Sequence, residues 1–145
     1  MIDNKKVFSL DDALITIYRE SPDGYGGITY TKLFDYVYCE NISCSQSAEV
    51  VMERKYGQAY PNVEVNSQSL TLTLGLLYFD KARSFLQAAS YNEKYKIEIY
   101  FREIDNPSQW EKYICHSCRN EQWIMNGSTG DVMKEGVVYR PARIE

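Results

Sequence analysis

Leu70-Thr71-Leu72-Thr73-Leu74-Gly75-Leu76 is the stretch that decides the fold. A leucine at every second position gives one apolar face and leaves Thr71, Thr73 and Gly75 on the other, which is the period of a half-buried strand. The same period recurs on either side. Ala13 to Arg19 sets Ile15 and Ile17 against Leu14, Thr16 and Tyr18. Lys94 to Arg102 sets Ile97, Ile99 and Phe101 inward against Lys96, Glu98 and Tyr100 outward. Glu111 to Met125 reads as a long, bent strand. Val132 to Ile144 reads as the last one, with Pro141 suited to an edge or a strand end. Two stretches are less clean. Ile28 to Val37 favours strand through its Tyr and Thr content, with a helical turn over Thr31–Tyr38 as the rival. Ile42 to Arg54 shows period two more than 3.6, although its second half holds good helix formers.

One helix is expected, over Asp80–Ala89. There Ala82, Phe85, Leu86 and Ala89 fall at the spacing of one buried stripe, and Asp80 suits the helix dipole. Turns separate the strands. Ser21 to Gly27 carries Pro22 and three glycines, and Asp105 to Ser108 and Asn126 to Gly130 are further turn clusters. Lys55 to Asn66, with Gly57, Pro61 and Asn62, reads as a long loop, and loops of that length tend to be functional or to meet a partner. Residues 1–11 are polar and read as a flexible arm. The fold class that follows is mainly β: an antiparallel β-sandwich or barrel with one short α-helix, forming a single domain over 1–145.

Composition narrows the function. The chain has 145 residues and a formal net charge of −4. That balance disfavours a protein that grips phosphates, which needs a basic face. Thirteen tyrosines point to half-buried strands or to a surface that meets protein. No apolar run is long enough to span a bilayer, and the start, Met1 to Lys6, does not resemble a signal peptide. The four cysteines are therefore expected to be reduced thiols.

Each candidate chemistry has a plainer reading beside it. Cys39, Cys44, Cys115 and Cys118 have a spacing loosely compatible with tetrahedral zinc, yet Tyr113 to Cys118 is strand-like, and buried thiols are the preferred reading. His116 is the one histidine. Next to Cys115 on a strand it points to the opposite face, so a structural role is preferred to that of a base. The many carboxylates fall on outward faces or turns. Gly24, Gly26 and Gly27 lack the Gly-Lys-Ser/Thr and the following helix of a phosphate loop. Trp110, Trp123 and the tyrosines lack the basic excess of a base-stacking surface. No enzyme active site is legible, and no cofactor is expected.

The order of elements from Ile42 to Glu145 resembles the tail-tube proteins of tailed bacteriophages and the related tube proteins of contractile injection systems. The resemblance rests on the strand Glu40–Val50, the long loop after it, and the alternating strand Leu70–Leu76. It continues through the short helix within Tyr78–Ser90, the strand Tyr95–Phe101, and two closing strands that end Val137-Val138-Tyr139-Arg140-Pro141-Ala142-Arg143-Ile144-Glu145. The Cys115-His116-Ser117-Cys118 run and the tyrosine content depart from it. The resemblance implies a structural virion protein whose copies close into a ring, usually a hexamer, with rings stacked into a hollow tube. The genome would pass through an acidic lumen without specific binding. Partners would be the chain itself and other tail proteins, with no membrane involved. The location would be the virion tail, after assembly in the host cytoplasm. Lys55, Tyr56, Tyr60, Asn62 and Glu64 of the long loop are the expected inter-ring contacts. The alternatives are a tail-terminator or neck ring, a small-ligand β-barrel with aromatics in its pocket, and a zinc-binding adaptor.

Overall fold

A computed structural model describes residues 8–36, 41–53, 56–57, 59–60, 62–78, 84–104, 106 and 108–145. Eight strands account for most of them: β1 (Phe8–Pro22), β2 (Ile28–Tyr36), β3 (Asn41–Glu53), β4 (Asn62–Tyr78), β5 (Lys94–Glu103), β6 (Trp110–Asn126), β7 (Lys134–Arg140) and β8 (Arg143–Ile144). Every pairing is antiparallel, and the order is β2-β1-β5-β6-β7-β4-β3, with β8 beside β6. Strand β6 is the spine. Its first half pairs with β5 and β8, and its second half with β7. The sheet bends there into two halves that enclose one core, and it does not close on itself.

The alternating stretches fill that core. Ile15, Ile17, Leu72, Leu74, Ile97 and Val137 are all at most 1% exposed. The less clean stretches resolve as strands. Ile28–Tyr36 pairs with β1 throughout, because its side chains alternate across a hairpin that Asp23 closes. Asp23 Oδ1 accepts from the backbone N–H groups of Tyr25 (2.7 Å) and Gly27 (3.0 Å). Gly24 and Gly26 take the positive φ that this turn needs. Two of the loop's N–H groups, those of Tyr25 and Gly27, are thus spent on Asp23.

Four expectations are corrected. Strand β1 begins at Phe8, inside the stretch 1–11 read as an arm, and Phe8 and Ser9 pair with Glu103 and Arg102; residues 1–7 lie outside the described part. The loop Lys55–Asn66 is shorter than expected, since Asn62 to Asn66 already belong to β4 and Val63 and Val65 alternate as a strand does. The last strand breaks at Pro141-Ala142, where Pro141 has no N–H to continue the ladder. In place of an α-helix, the described part of Asp80–Ala89 is one 3-10 turn, Phe85–Ala88, with residues 79–83 outside the described part. Phe85 and Ala88 are buried and Leu86 is exposed, the i, i+3 spacing of a 3-10 turn and not the i, i+4 of an α-helix.

That turn is pinned from below. Glu135, 2% exposed, accepts from Ser84 Oγ (2.8 Å), the Phe85 N–H (3.2 Å) and Trp123 Nε1 (3.0 Å). Tyr139 donates to the Ala88 carbonyl at 2.6 Å, and the Ser90 N–H donates to Tyr95 Oη at 3.0 Å. The rings of Tyr95 and Tyr139 meet edge to face at 5.9 Å. The turn therefore caps one end of the core through polar side chains that rise from β5, β6 and β7.

The outer face of the β2-β1-β5 half is polar and aromatic. Lys96 Nζ lies 4.6 Å from the Tyr18 ring centre and 4.0 Å from that of Tyr30, and 3.4 Å from Glu98. Burial, and after it the bond that Tyr100 donates to Glu98 at 2.8 Å, pushes the Tyr100 phenol up to about 12. Asp35 receives Lys32 Nζ (2.8 Å) and Thr16 Oγ1 (2.6 Å). Burial opposes its ionisation, but the two hydrogen bonds and the lysine charge hold the carboxyl below the usual range. A depressed carboxyl contributes stability above its unfolded pKa and loses it as pH falls through the folded value. Asp35→Asn should therefore cost under about 1 kcal/mol near neutrality, since the pair is partly exposed. Urea unfolding across pH should show the difference from the wild type vanishing below the carboxylate range.

Candidate assembly surface and cysteine cluster

The open sheet leaves strands β2 and β3 at its two ends, each with one side of its backbone free of strand partners among the described residues. Such edges template pairing with another chain unless they are covered. Strand β3 is 13 residues long, and its neighbour β4 is 17. Their far ends run past the core as a two-stranded arm. A register shift at Glu49/Val50 marks where the arm begins. Beyond it Val50 faces Val65 and Met52 faces Val63, and all four are more than half exposed. Tyr56 and Tyr60 stand near the tip in full contact with solvent. An isolated two-stranded ribbon with an apolar face is marginal in water, and this arm leaves such a face exposed. Of the residues expected at inter-ring contacts, Tyr56, Tyr60 and Glu64 are exposed on the arm and Asn62 opens β4. Lys55 lies outside the described residues.

The face of the β3–β4 ribbon turned from the core is a carpet of hydroxyls. Ser43 lies opposite Thr73, Ser45 opposite Thr71, and Ser47 opposite Ser69, with the last two hydroxyls 2.7 Å apart. Arg140 borders it. It bonds Thr71 Oγ1 (2.9 Å) and Glu121 (2.7 Å), which holds the Glu121 carboxyl below its usual range.

Two cysteines, Cys115 and Cys118, sit in the core, and a third, Cys44, is exposed on the edge strand. Cys115 and Cys118 both face inward, which a regular strand forbids at that spacing. A β-bulge resolves it: Cys115 pairs with Ile97 and Cys118 with Tyr95, so His116 and Ser117 together oppose Lys96. Ser117 takes φ of 50°, and Glu20 holds it there by accepting from its N–H (2.9 Å) and its hydroxyl (3.0 Å). The Cys118 thiol donates to the Cys115 carbonyl at 3.4 Å. Cys44, opposite buried Leu72 in the β3–β4 register, shares that face of the ribbon but is exposed. Cys118 holds the Cys115 thiol low against burial; burial raises Cys44, and Cys115 with burial raises Cys118. Among the described residues no group of three or more Cys, His, Asp or Glu has the geometry to hold a metal ion, and Cys39 lies outside them. His116 bonds the Glu145 carboxylate and no cysteine, and it holds that carboxyl low.

A shallow cleft of about 430 Å³ opens beside the bulge, between Arg19, Glu20, Glu93, Lys94 and Arg119. None of its lining residues is aromatic, so it lacks the ring-lined pocket that a small-ligand barrel would show.

Open antiparallel sheets with free edges and a protruding ribbon define a class of fold suited to self-association. By sequence, no protein family and no curated protein matches the chain. By structure it matches tube assemblies. A chain of an extracellular contractile injection system, the PVC sheath–tube complex in its extended state, superposes with a TM-score of 0.62 over 96% of this chain and 90% of that one, at 12% identity. The SPP1 tail tube superposes at 0.60 over 90% of this chain and 74% of that one, at 8% identity. The cap that terminates the anti-feeding prophage tube superposes at 0.62 over 100% and 93%, at 10% identity. The chain has the fold of these phage-tail and injection-system proteins.

Proposed function

We propose that this chain is a structural, non-enzymatic tail-tube protein whose copies close into a ring, a hexamer, and whose rings stack into a hollow tube for the passage of nucleic acid. The observation that carries this reading is the pair of free edges at the ends of an open sheet, in a fold shared with tube assemblies. A head-to-tail contact that joins β2 of one copy to β3 of the next uses both edges and closes when the rotation allows. The arm then reaches an adjacent ring, with Lys55, Tyr56, Tyr60, Asn62 and Glu64 among its contacts. The second reading is a terminator ring, since the cap that ends the anti-feeding prophage tube superposes over 100% of this chain, arm included. The hydroxyl carpet of β3 and β4 suits the lumen wall: the chain charge is −4, and Arg140, the cation at its border, is neutralised by Glu121. Partners are the chain itself and neighbouring tail proteins, and the place of action is the virion tail.

Adjacent positions on an edge strand direct their N–H groups to opposite sides, so prolines at 45 and 46 separate folding from assembly. One of Ser45→Pro and Gln46→Pro breaks a bond to β4 and lowers the thermal midpoint. The other, on the free side, should keep the midpoint and abolish the ring in sedimentation velocity. Rings that survive both substitutions would exclude the β3 edge as the contact.

A further inference from the structure

We propose that the cleft beside the bulge is an anion seat that takes carboxylates from the arm of a second copy of this chain. The inference rests on the proposed stacking of rings and names the surface on which the arm lands. Three cations line the cleft, Arg19, Lys94 and Arg119, with two carboxylates, Glu20 and Glu93. Both carboxylates are already engaged. Glu20 accepts from the Ser117 N–H (2.9 Å) and hydroxyl (3.0 Å). Glu93 meets Arg19 at 3.5 Å and accepts from the Tyr95 hydroxyl at 3.3 Å. Lys94 and Arg119 are exposed, and neither side chain has an ion pair among the described residues. Their placement is unfavourable. They follow the paired Tyr95 and Cys118 by one step on adjacent strands, and Arg119 lies opposite Arg140 in the β6–β7 register. Arg140 has Glu121 as its partner, which leaves Arg119 and Lys94 unmatched. Like charges facing each other across strands destabilise a sheet, and an anion between them offsets that cost. Ser117, at the cleft wall, is the one non-glycine with a positive φ among the described residues. Backbone strain of this kind persists where surrounding contacts enforce it, and it gathers at binding sites.

The arm supplies the matching charge. One of its faces carries Val50, Met52, Val63 and Val65. Alternation puts Glu64, opposite Val51, on the other face, with Glu49 its diagonal neighbour at the bulge. Both glutamates are exposed, and the described residues of the arm include no lysine or arginine. The arm is therefore a two-faced ribbon, apolar on one side and acidic on the other. Each charge pair straddles two adjacent strands, Lys94 and Arg119 on β5 and β6, Glu49 and Glu64 on β3 and β4. Their long side chains can bring two carboxylates onto two cations. The planar guanidinium of Arg119 suits a carboxylate bound through both oxygens.

Charge reversal tests this on the purified full chain, with the concentration at which tubes form read by light scattering. Lys94→Glu with Arg119→Glu, and separately Glu49→Lys with Glu64→Lys, should each raise that concentration by about tenfold or more. All four changes together should bring it back to within about threefold of the wild type. Thermal midpoints should hold to within about 2 °C, because all four positions are exposed. Should the cleft reversal unfold the chain, Lys94→Gln with Arg119→Gln takes its place, and tubes at the wild-type concentration from that variant would overturn the proposal. Wild-type tubes together with reversals that change nothing, or with a quadruple variant no better than either double, overturn the proposal and leave the stacking of rings standing. A wild type that forms no tube overturns both.

Discussion

Glu135→Ala is expected to lower stability by about 3 kcal/mol and the thermal midpoint by roughly 10 °C. The carboxylate is buried and serves three donors at once: the Ser84 hydroxyl, the Phe85 N–H and the Trp123 indole. Alanine leaves all three without their acceptor, and each such buried group costs about 1–3 kcal/mol, less where water enters the space. It also frees the 3-10 turn that caps the core end. Glu135→Gln keeps the shape and one acceptor oxygen, but it brings an amide N–H₂ toward groups that are themselves donors, so about two thirds of the loss should remain. Denaturant unfolding gives the magnitude, and Trp123 emission reports the local change. A loss under about 0.5 kcal/mol would show that the turn is held by Phe85 and Tyr139 alone.

The second large effect is on assembly. Met52→Lys with Val63→Glu replaces a directly opposed apolar pair on the arm by opposite charges. Opposed charges support a two-stranded ribbon, so the arm should still form, and both positions are exposed enough that stability should change by less than about 1 kcal/mol. The apolar face offered to the next ring is gone. Light scattering should find rings in the double variant at the concentrations at which the wild type forms tubes, with stacking weakened at least a hundredfold. Tubes of normal length from this variant would remove the arm from the inter-ring contact. Shortening residues 54–61 is the companion test, because Tyr56 and Tyr60 stand near the tip.

The strands were legible because burial on one face imposes period two on the sequence, and Leu72, Leu74, Ile97 and Ile99 obey it without interruption. The turn at Phe85–Ala88 reads as α from the sequence because Phe85 and Leu86 both fit an i, i+4 stripe. What selects the shorter turn is Glu135, fifty residues away, which no local pattern reveals. The arm was read in part as loop because Gly57 and Pro61 weigh against a strand while Val63 and Val65 are too few to outweigh them. Period two sets Cys115 and Cys118 on opposite faces, and only the bulge that Glu20 stabilises from another strand brings them together. A Cys-x-x-Cys in an alternating strand is itself a signal for such a bulge. The tyrosine excess has an account in part: Tyr18 and Tyr30 flank Lys96, and Tyr95 and Tyr139 anchor the turn.

The central claim is that copies of this chain join through the ends of an open sheet and that the rings so formed stack. Negative-stain electron microscopy of the purified protein over rising concentration tests it most directly. Rings of uniform diameter are expected at low concentration and tubes of the same width at high concentration. Particles no larger than a single chain at every concentration would contradict it.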